Sequence, residues 1–425
     1  MPILPQMLPV RQIFDAQSVE DVTAATHDTL NKAEVAKSVR PGESVAITVG
    51  SRGIANLKAL VRAQIEFFQA AGAKPFIVPA MGSHGGGNSE GQRALLAGFD
   101  LTEESLGVEI CSTMETVILG RTDEGIEIHF AKPAFEADHV IVFNRVKPHT
   151  DFAGPIESGL HKMLMIGLGK RSGAEIYHRH CRGESFEPIA SKIVPLLLEK
   201  CPVLCGLAVV ENAREETAHV EAVRPESFAS REPELLQMAR KWMPRLPVNE
   251  VDLLIIDQFG KEISGTGMDM NVVGRKFLRH FPSDRESVRC KRIFVRSVTV
   301  KSKGNGCGIG YADFTNDRTV AAIDREITGI NCVTSGHVSG AHIPVSFPTD
   351  RECIETALRT IGPTPPQEAR VVRILDTLHL ESVEVSESCL PDIAANPQSE
   401  PSGPVRSFQF DSDGNLTRLS DQHSG

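Results

Sequence analysis

Along the first half of the chain, short apolar runs alternate with stretches whose apolar residues recur near helical period. Ser44–Val49 (SVAITV), Pro75–Pro79 (PFIVP) and His139–Asn144 (HVIVFN) are apolar and rich in β-branched residues, and each runs into a polar or glycine-rich turn. Between them, Asn56–Phe68 carries apolar positions at helical spacing and closes on the glycine of AGAK, and a second helix is predicted around Gly91–Ala97. A helix from about Pro188 to Lys200 then leads to the buried strand Val203–Asn212. Strands that read as near-continuous apolar runs and alternate with helices imply a mainly parallel sheet covered on both faces. A charged helical stretch, Pro225–Lys241, ends at WMPRLPVNE, where two prolines break the pattern. A second alternation follows: strands Val251–Asp257, Arg292–Val300 and Arg370–Leu375, with helices near Asp317–Glu326 and at Asp350–Ile361. The pattern predicts an α/β protein of two domains, residues 1–245 and 246–390. Residues 391–425 form an extended tail in which the Asp-Gly pair of Phe408–Thr417 favours a terminal hairpin.

Composition narrows the function. Across 425 residues, 45 Lys+Arg against 55 Asp+Glu give a net charge of −10, which argues against a protein that grips nucleic-acid phosphates. A 41% hydrophobic fraction supplies substantial cores and excludes a disordered chain. The longest apolar runs fall far short of the roughly 20 residues of a membrane span, and the N-terminal MPILPQMLPVRQIFD lacks the basic-then-apolar order of a secretory signal. A soluble, cytoplasmic protein is expected. The nine cysteines are scattered, odd in number and without a CxxC pair, so they read as buried small hydrophobes rather than a disulfide framework.

In an open parallel sheet, ligands bind beyond the carboxyl ends of the strands. Three loops qualify: VGSRG, MGSHGGG and NRVKPHT, carrying Arg52, His84, Arg145, Lys147 and His149. Three cations and two imidazoles at one rim suit an anionic substrate and proton exchange near neutral pH. Taken singly, each has a plainer reading: Arg52 as a surface ion-pair partner, His84 and His149 as loop residues, Gly85, Gly86 and Gly87 as a tight turn.

The densest segment is Glu157–His180, ESGLHKMLMIGLGKRSGAEIYHRH. Lys162 lies among Leu160, Met163, Leu164, Met165 and Ile166. Apolar surroundings disfavour an ammonium and make an amine nucleophilic or linkable, although a snorkelling lysine has the same pattern. His178 and His180 form an H-x-H pair that, on a strand, would present two imidazoles to a metal.

PAMGSHGGGNSEGQRALLAGF, NRVKPHTDFAGPIESGLHKMLMIGLGK and the downstream YHRH together resemble the nickel-dependent lactate racemase family of 2-hydroxy acid racemases and epimerases. The resemblance is specific over about Ser44–His180 and thinner beyond, where GKEISGTGMDMNVVGR matches loosely. It implies two α/β domains with the active site in the cleft between them. It also implies a nickel-pincer nucleotide (the nickel complex of pyridinium-3,5-bisthiocarboxylic acid mononucleotide), joined to a lysine through a thioamide and made by dedicated cofactor-biosynthesis enzymes. By resemblance, Lys162 matches the tethering lysine and His178 the nickel ligand. His84 and His149 match the two catalytic histidines, and Arg52 the arginine that holds the substrate carboxylate. Lys147, Lys261 and Arg275 are further substrate-binding positions by location.

The chain also departs from that pattern. Val49 stands where the better-known lactate racemases carry an aspartate, the glycine-rich surround of the tether is replaced by ESGLHKMLMIGLG, and the interval from His149 to Lys162 is longer. The resemblance implies a divergent racemase or epimerase acting on a small-molecule 2-hydroxy acid, and the departures favour an acid other than lactate, leaving lactate itself open. The residues alone leave open a metal-independent hydrolase or lyase using His84 and His149, and a non-catalytic nickel- or nucleotide-binding protein.

Overall fold

The computed structural model describes residues 3–15, 17–180, 185–280, 282–417 and 419. The chain divides into two compact units, Ala16–Met243 and Met1–Asp15 with Pro244–Gly425. Its first strand, β1 (Met7–Gln12), belongs to the second of these.

The unit Ala16–Met243 is built on β2 (Ser44–Val49), β3 (Lys74–Pro79), a two-stranded ribbon of β4 (Thr116–Arg121) and β5 (Glu127–Ala131), then β6 (His139–Arg145), β7 (Val203–Glu211) and β8 (Thr217–Val223). The main sheet runs β3-β2-β6-β7-β8, parallel except for β8. Alternate residues of its strands enter different cores, as the two-residue period of a strand requires. Val45, Ile47 and Val49 pack with helix Leu57–Ala70, whereas Ala46, Val140 and Val142 pack with Leu160, Met163 and helices Glu187–Lys200 and Phe228–Trp242. Both faces are dry, which is why these strands read as unbroken apolar runs.

The order of the strands matters for function. The chain passes from β2 outward to β3 and returns to the other side of β2 as β6. That reversal opens a crevice at the carboxyl ends of β2 and β6, the place where doubly wound sheets bind ligands.

The second unit continues with β9 (Glu250–Ile256), β10 (Arg289–Val295), β11 (Phe314–Asn316), β12 (Val345–Phe347), β13 (Val371–Ile374), β14 (Ser382–Ser386) and β15 (Ser399–Pro401). Its sheet runs β12-β11-β10-β9-β13-β14-β1-β15, parallel from β12 to β13 and antiparallel beyond. The first fifteen residues, read in sequence as the start of the first domain, thus complete the second unit's sheet instead: Val10 faces Val383 of β14 and Pro401 of β15. The tail is also part of this unit. Its Leu416 donates its amide to Asp350 at 3.0 Å and lies in the core with Leu253 and Phe294. The stretch read as one helix near Asp317–Glu326 is two, Asp317–Ala322 and Arg325–Ser335, because the Asp324 side chain caps the second by accepting from the amides of Glu326 and Ile327.

Candidate active site

The three rim loops converge on the segment that contains Lys162, Gly159–Gly167. After β2, Gly50 approaches so closely that a Cβ there would stand 3.1 Å from Met163 Cε. After β3, the amide of Gly82 donates to the carbonyl of Gly167 at 3.3 Å. At the end of β6, Asn144 Nδ2 donates to the Gly159 carbonyl at 2.8 Å. Leu160–Lys162 make one helical turn, and Leu168 N donates to Met163 O at 2.9 Å, an i to i−5 bond that opens Met163–Gly167 into a π-helical turn. Such turns recur at functional sites because they displace the side chains around them from the regular helical faces.

Lys162 is half-buried, while Leu160, Met163, Leu164, Met165 and Ile166 around it are all buried. Its ammonium stands 6.0 Å from the centre of the Phe152 ring. The His149 ring stacks on the same phenyl with centroids 4.5 Å apart and planes 23° from parallel, and Phe186 packs against Phe152 at 5.7 Å. Phe152 therefore brings the amine and the imidazole to one aromatic wall. It was passed over in sequence, and its place between KPHT and the apolar lysine segment was the available signal.

The His149 loop is closed on itself. Lys147, half-buried, donates its amide to the Ser158 carbonyl at 3.0 Å, and the His149 amide donates to Glu157 Oε2 at 2.7 Å. His149 Nδ1 accepts from the amides of Asp151 and Phe152 at 3.0 and 3.3 Å. With two donors aimed at Nδ1, the neutral ring carries its proton on Nε2.

His84 is exposed and its Nδ1 is hydrogen-bonded to the Ser51 hydroxyl, which joins the loop after β3 to the loop after β2. Arg52, the next residue, is exposed on that bend. The glycines beside His84 have a packing reason of their own. Gly85, Gly86 and Gly87 all have φ between +61° and +69°, and a Cβ on Gly91 would lie 1.9 Å from the Gly85 carbonyl. Arg145, counted in sequence among the rim cations, is half-buried and ion-paired with Glu211, whose other oxygen accepts from the Ala55 amide at 2.7 Å. That charge fixes the loop rather than a substrate.

His178 and His180 are exposed in the last turn of helix Lys170–His180. On a helix, residues two apart point about 200° from each other, so the pair does not present both rings to one point, as a strand would. His180 Nδ1 is bonded to the Ile176 carbonyl at 2.8 Å.

The fully buried lysine of the region is Lys170. Its ammonium donates to the Pro79 carbonyl, at the end of β3, at 2.7 Å, and burial pulls its pKa down to about 8. The native state thus binds fewer protons than the unfolded chain between about pH 8 and the ordinary lysine value of 10.5. The contribution of Lys170 to stability therefore rises with pH across that window. Urea titrations of the parent against Lys170→Met will show the parent gaining on the variant by about 3 kcal/mol between pH 7 and pH 10.5. Parallel pH profiles would refute the depressed ammonium.

In the second unit, Lys261 lies in the loop after β9. Its ammonium donates to the Gly265 carbonyl and its amide to the Ser302 hydroxyl, both at 2.7 Å. Arg275, assigned to substrate by its place in the sequence, is fully buried, with Nη2 bonded to Asp313 at 3.0 Å and to the Lys291 carbonyl at 3.2 Å. A guanidinium buried and ion-paired in this way is part of the core and does not reach a substrate. Among the described residues, no three His, Cys, Asp or Glu side chains gather as a metal-binding group, and no helix is long and apolar enough to cross a membrane.

Comparison with known proteins agrees with this architecture. Among solved structures, the lactate racemase apoprotein from Thermoanaerobacterium thermosaccharolyticum is similar, with a TM-score of 0.51 and 14% identity over 86% of this chain and 94% of that one; at such identity the likeness is one of fold. No curated protein matches the chain. Residues 6–188, which hold every rim loop, the Lys162 segment and helix Lys170–His180, match the lactate racemase N-terminal domain.

Proposed function

We propose that this protein is an isomerase that inverts the hydroxyl-bearing carbon of a 2-hydroxy acid with the help of a lysine-tethered nickel-pincer nucleotide. The observation that carries the reading is the shared Phe152 wall. It sets the Lys162 amine and the His149 imidazole, thirteen residues apart in sequence, against one phenyl ring.

The residues fit such a group. A thioamide link needs an accessible primary amine held in apolar surroundings, and Lys162 is half-buried beside Phe152 and the methionines. A planar nickel site suits soft and nitrogen donors. With His178 as the one protein donor, sulfur and carbon donors from an organic cofactor would complete it. When bound, the group supplies an electrophilic acceptor that takes up and returns a hydride.

The chain supplies the rest. The Cα–H of a 2-hydroxy carboxylate is hardly acidic, because the neighbouring carboxylate is already negative, so simple deprotonation is a poor route. Loss of the hydroxyl proton together with hydride gives a planar 2-keto acid that can be reduced from either face. Arg52, on the exposed bend after β2, holds the carboxylate. His84, oriented through Nδ1 by Ser51, takes the hydroxyl proton as hydride leaves and gives it back as hydride returns, and His149 hydrogen-bonds the same oxygen through its Nε2–H. Phe152 and Phe186 keep water from the reacting carbon.

The test is chiral. Protein produced together with the cofactor-biosynthesis enzymes is given single enantiomers of a panel of 2-hydroxy acids in deuterated water, and ellipticity and Cα deuteration are followed. The expected result is decay of the ellipticity for at least one acid with its Cα hydrogen retained. Inversion with deuterium at Cα would replace hydride transfer by proton abstraction, and no inversion across the panel would remove the isomerase reading.

A further inference from the structure

Helix Phe228–Trp242 reads in sequence as a charged stretch, yet two of its charges are turned toward the site segments. We infer that this helix is a clamp that positions the two segments carrying His149 and Lys162, with Glu232 and Arg240 as positioning residues. The inference rests on the functional reading above for what the clamp is for, and on the contacts below for its existence.

Glu232 grips the Lys162 side. Its side chain is 1% exposed, and Oε2 accepts from the His161 amide at 3.0 Å and from His161 Nδ1 at 2.7 Å, so the residue immediately before Lys162 is held by backbone and ring together. The fit is close: a Cβ on Gly159 would stand 2.5 Å from Glu232 Oε1, so glycine is what admits the carboxylate there. Oε1 is itself buried without a hydrogen-bond partner among the described residues. A buried carboxylate with one unsatisfied oxygen is costly, and here it is kept against that cost.

Arg240 grips the His149 side. Its Nη2 donates to Glu157 Oε1 at 2.7 Å and to the Gly154 carbonyl at 3.0 Å. Glu157, whose side chain is 0% exposed, in turn accepts from the amides of His149 at 2.7 Å and Gly154 at 3.2 Å. Eight residues separate Glu232 from Arg240, about 12 Å along the helix axis and about 80° around it. One rigid element therefore sets both segments. A misplacement near 1 Å costs about a hundredfold in rate where reacting groups must be aligned.

The test uses the full chain with Arg240→Met, Arg240→Lys and Glu232→Gln, read by amide hydrogen exchange without cofactor and by Lys162 peptide mass, kcat and KM after maturation. Arg240→Met should speed exchange about tenfold or more in residues 147–158 and leave β2 and β6 unchanged. Glu232→Gln should do the same in residues 159–163. Each variant should keep the Lys162 adduct and lose kcat by about ten- to a hundredfold with KM within about twofold, and Arg240→Lys should recover part of the loss. Unchanged local exchange, or faster exchange throughout the unit, overturns the clamp, as does unchanged kcat in the loaded variants. If Arg240→Met does not fold, the near-isosteric Glu232→Gln decides. A parent without adduct would defeat the functional reading, while the exchange results would still decide whether the clamp exists.

Discussion

Lys162→Ala leaves a folded protein that carries no adduct, retains no nickel after gel filtration and shows no inversion above background. The effect is total because the amine is proposed as a covalent link, for which no neighbouring side chain substitutes. Lys162→Arg is expected to fail equally, since a guanidinium keeps the charge and the reach but does not form the thioamide. The fold should be nearly indifferent. Lys162 is half-buried, and the apolar residues around it, Leu160, Met163 and Leu164, pack below it in the core. Far-ultraviolet dichroism should overlay with the parent, with a melting temperature within a few degrees. A Lys162→Ala protein that turns over at the parental rate would show that the tether lies elsewhere.

The second large effect separates chemistry from cofactor loading. His84→Ala and His149→Ala should both keep the adduct on Lys162 and lose turnover by about 10²- to 10⁴-fold, the range expected when a positioned proton-transfer group or a hydrogen-bond donor to the reacting oxygen is removed. The two rings are held differently, and the supporting variants should differ accordingly. Ser51→Ala removes the hydroxyl bonded to His84 Nδ1 and should lower kcat while leaving His149 undisturbed. His149 should be indifferent to that change, since its Nδ1 accepts from the backbone amides of Asp151 and Phe152. Single-turnover measurements matched for Lys162 occupancy would check both. Full turnover in either alanine variant would remove that histidine from the reacting hydroxyl.

Much of the first unit is legible in sequence for one reason. Its parallel strands are buried on both faces, so Ser44–Val49 and His139–Asn144 stand out as apolar runs that end in polar loops. β1 escaped notice because Pro9 and Arg11 interrupt its apolar pattern. Its place in the second unit's sheet depends on partners more than 370 residues away, and local pattern does not reach that far. The same holds for the site. The rim loops could be read because strand ends carry ligands in this architecture, and the lysine segment because its composition is unusual. The Phe152 wall, the Glu232–His161 contact and the pairing of Arg240 with Glu157 could not, since each joins segments whose proximity only folding creates. Arg275 shows the reverse error: a basic residue in a polar-looking segment is spent inside the fold on Asp313.

The central claim is a bond at one amine, and peptide mass spectrometry reads it directly. Protein made beside the cofactor-biosynthesis enzymes is digested, and the peptide containing Lys162 is weighed against the same peptide from protein made without them. The account predicts that the matured peptide is heavier by a thioamide-linked pyridinium mononucleotide, localised by fragmentation to Lys162. An unmodified Lys162 in matured, nickel-replete protein that still inverts its substrate would contradict it.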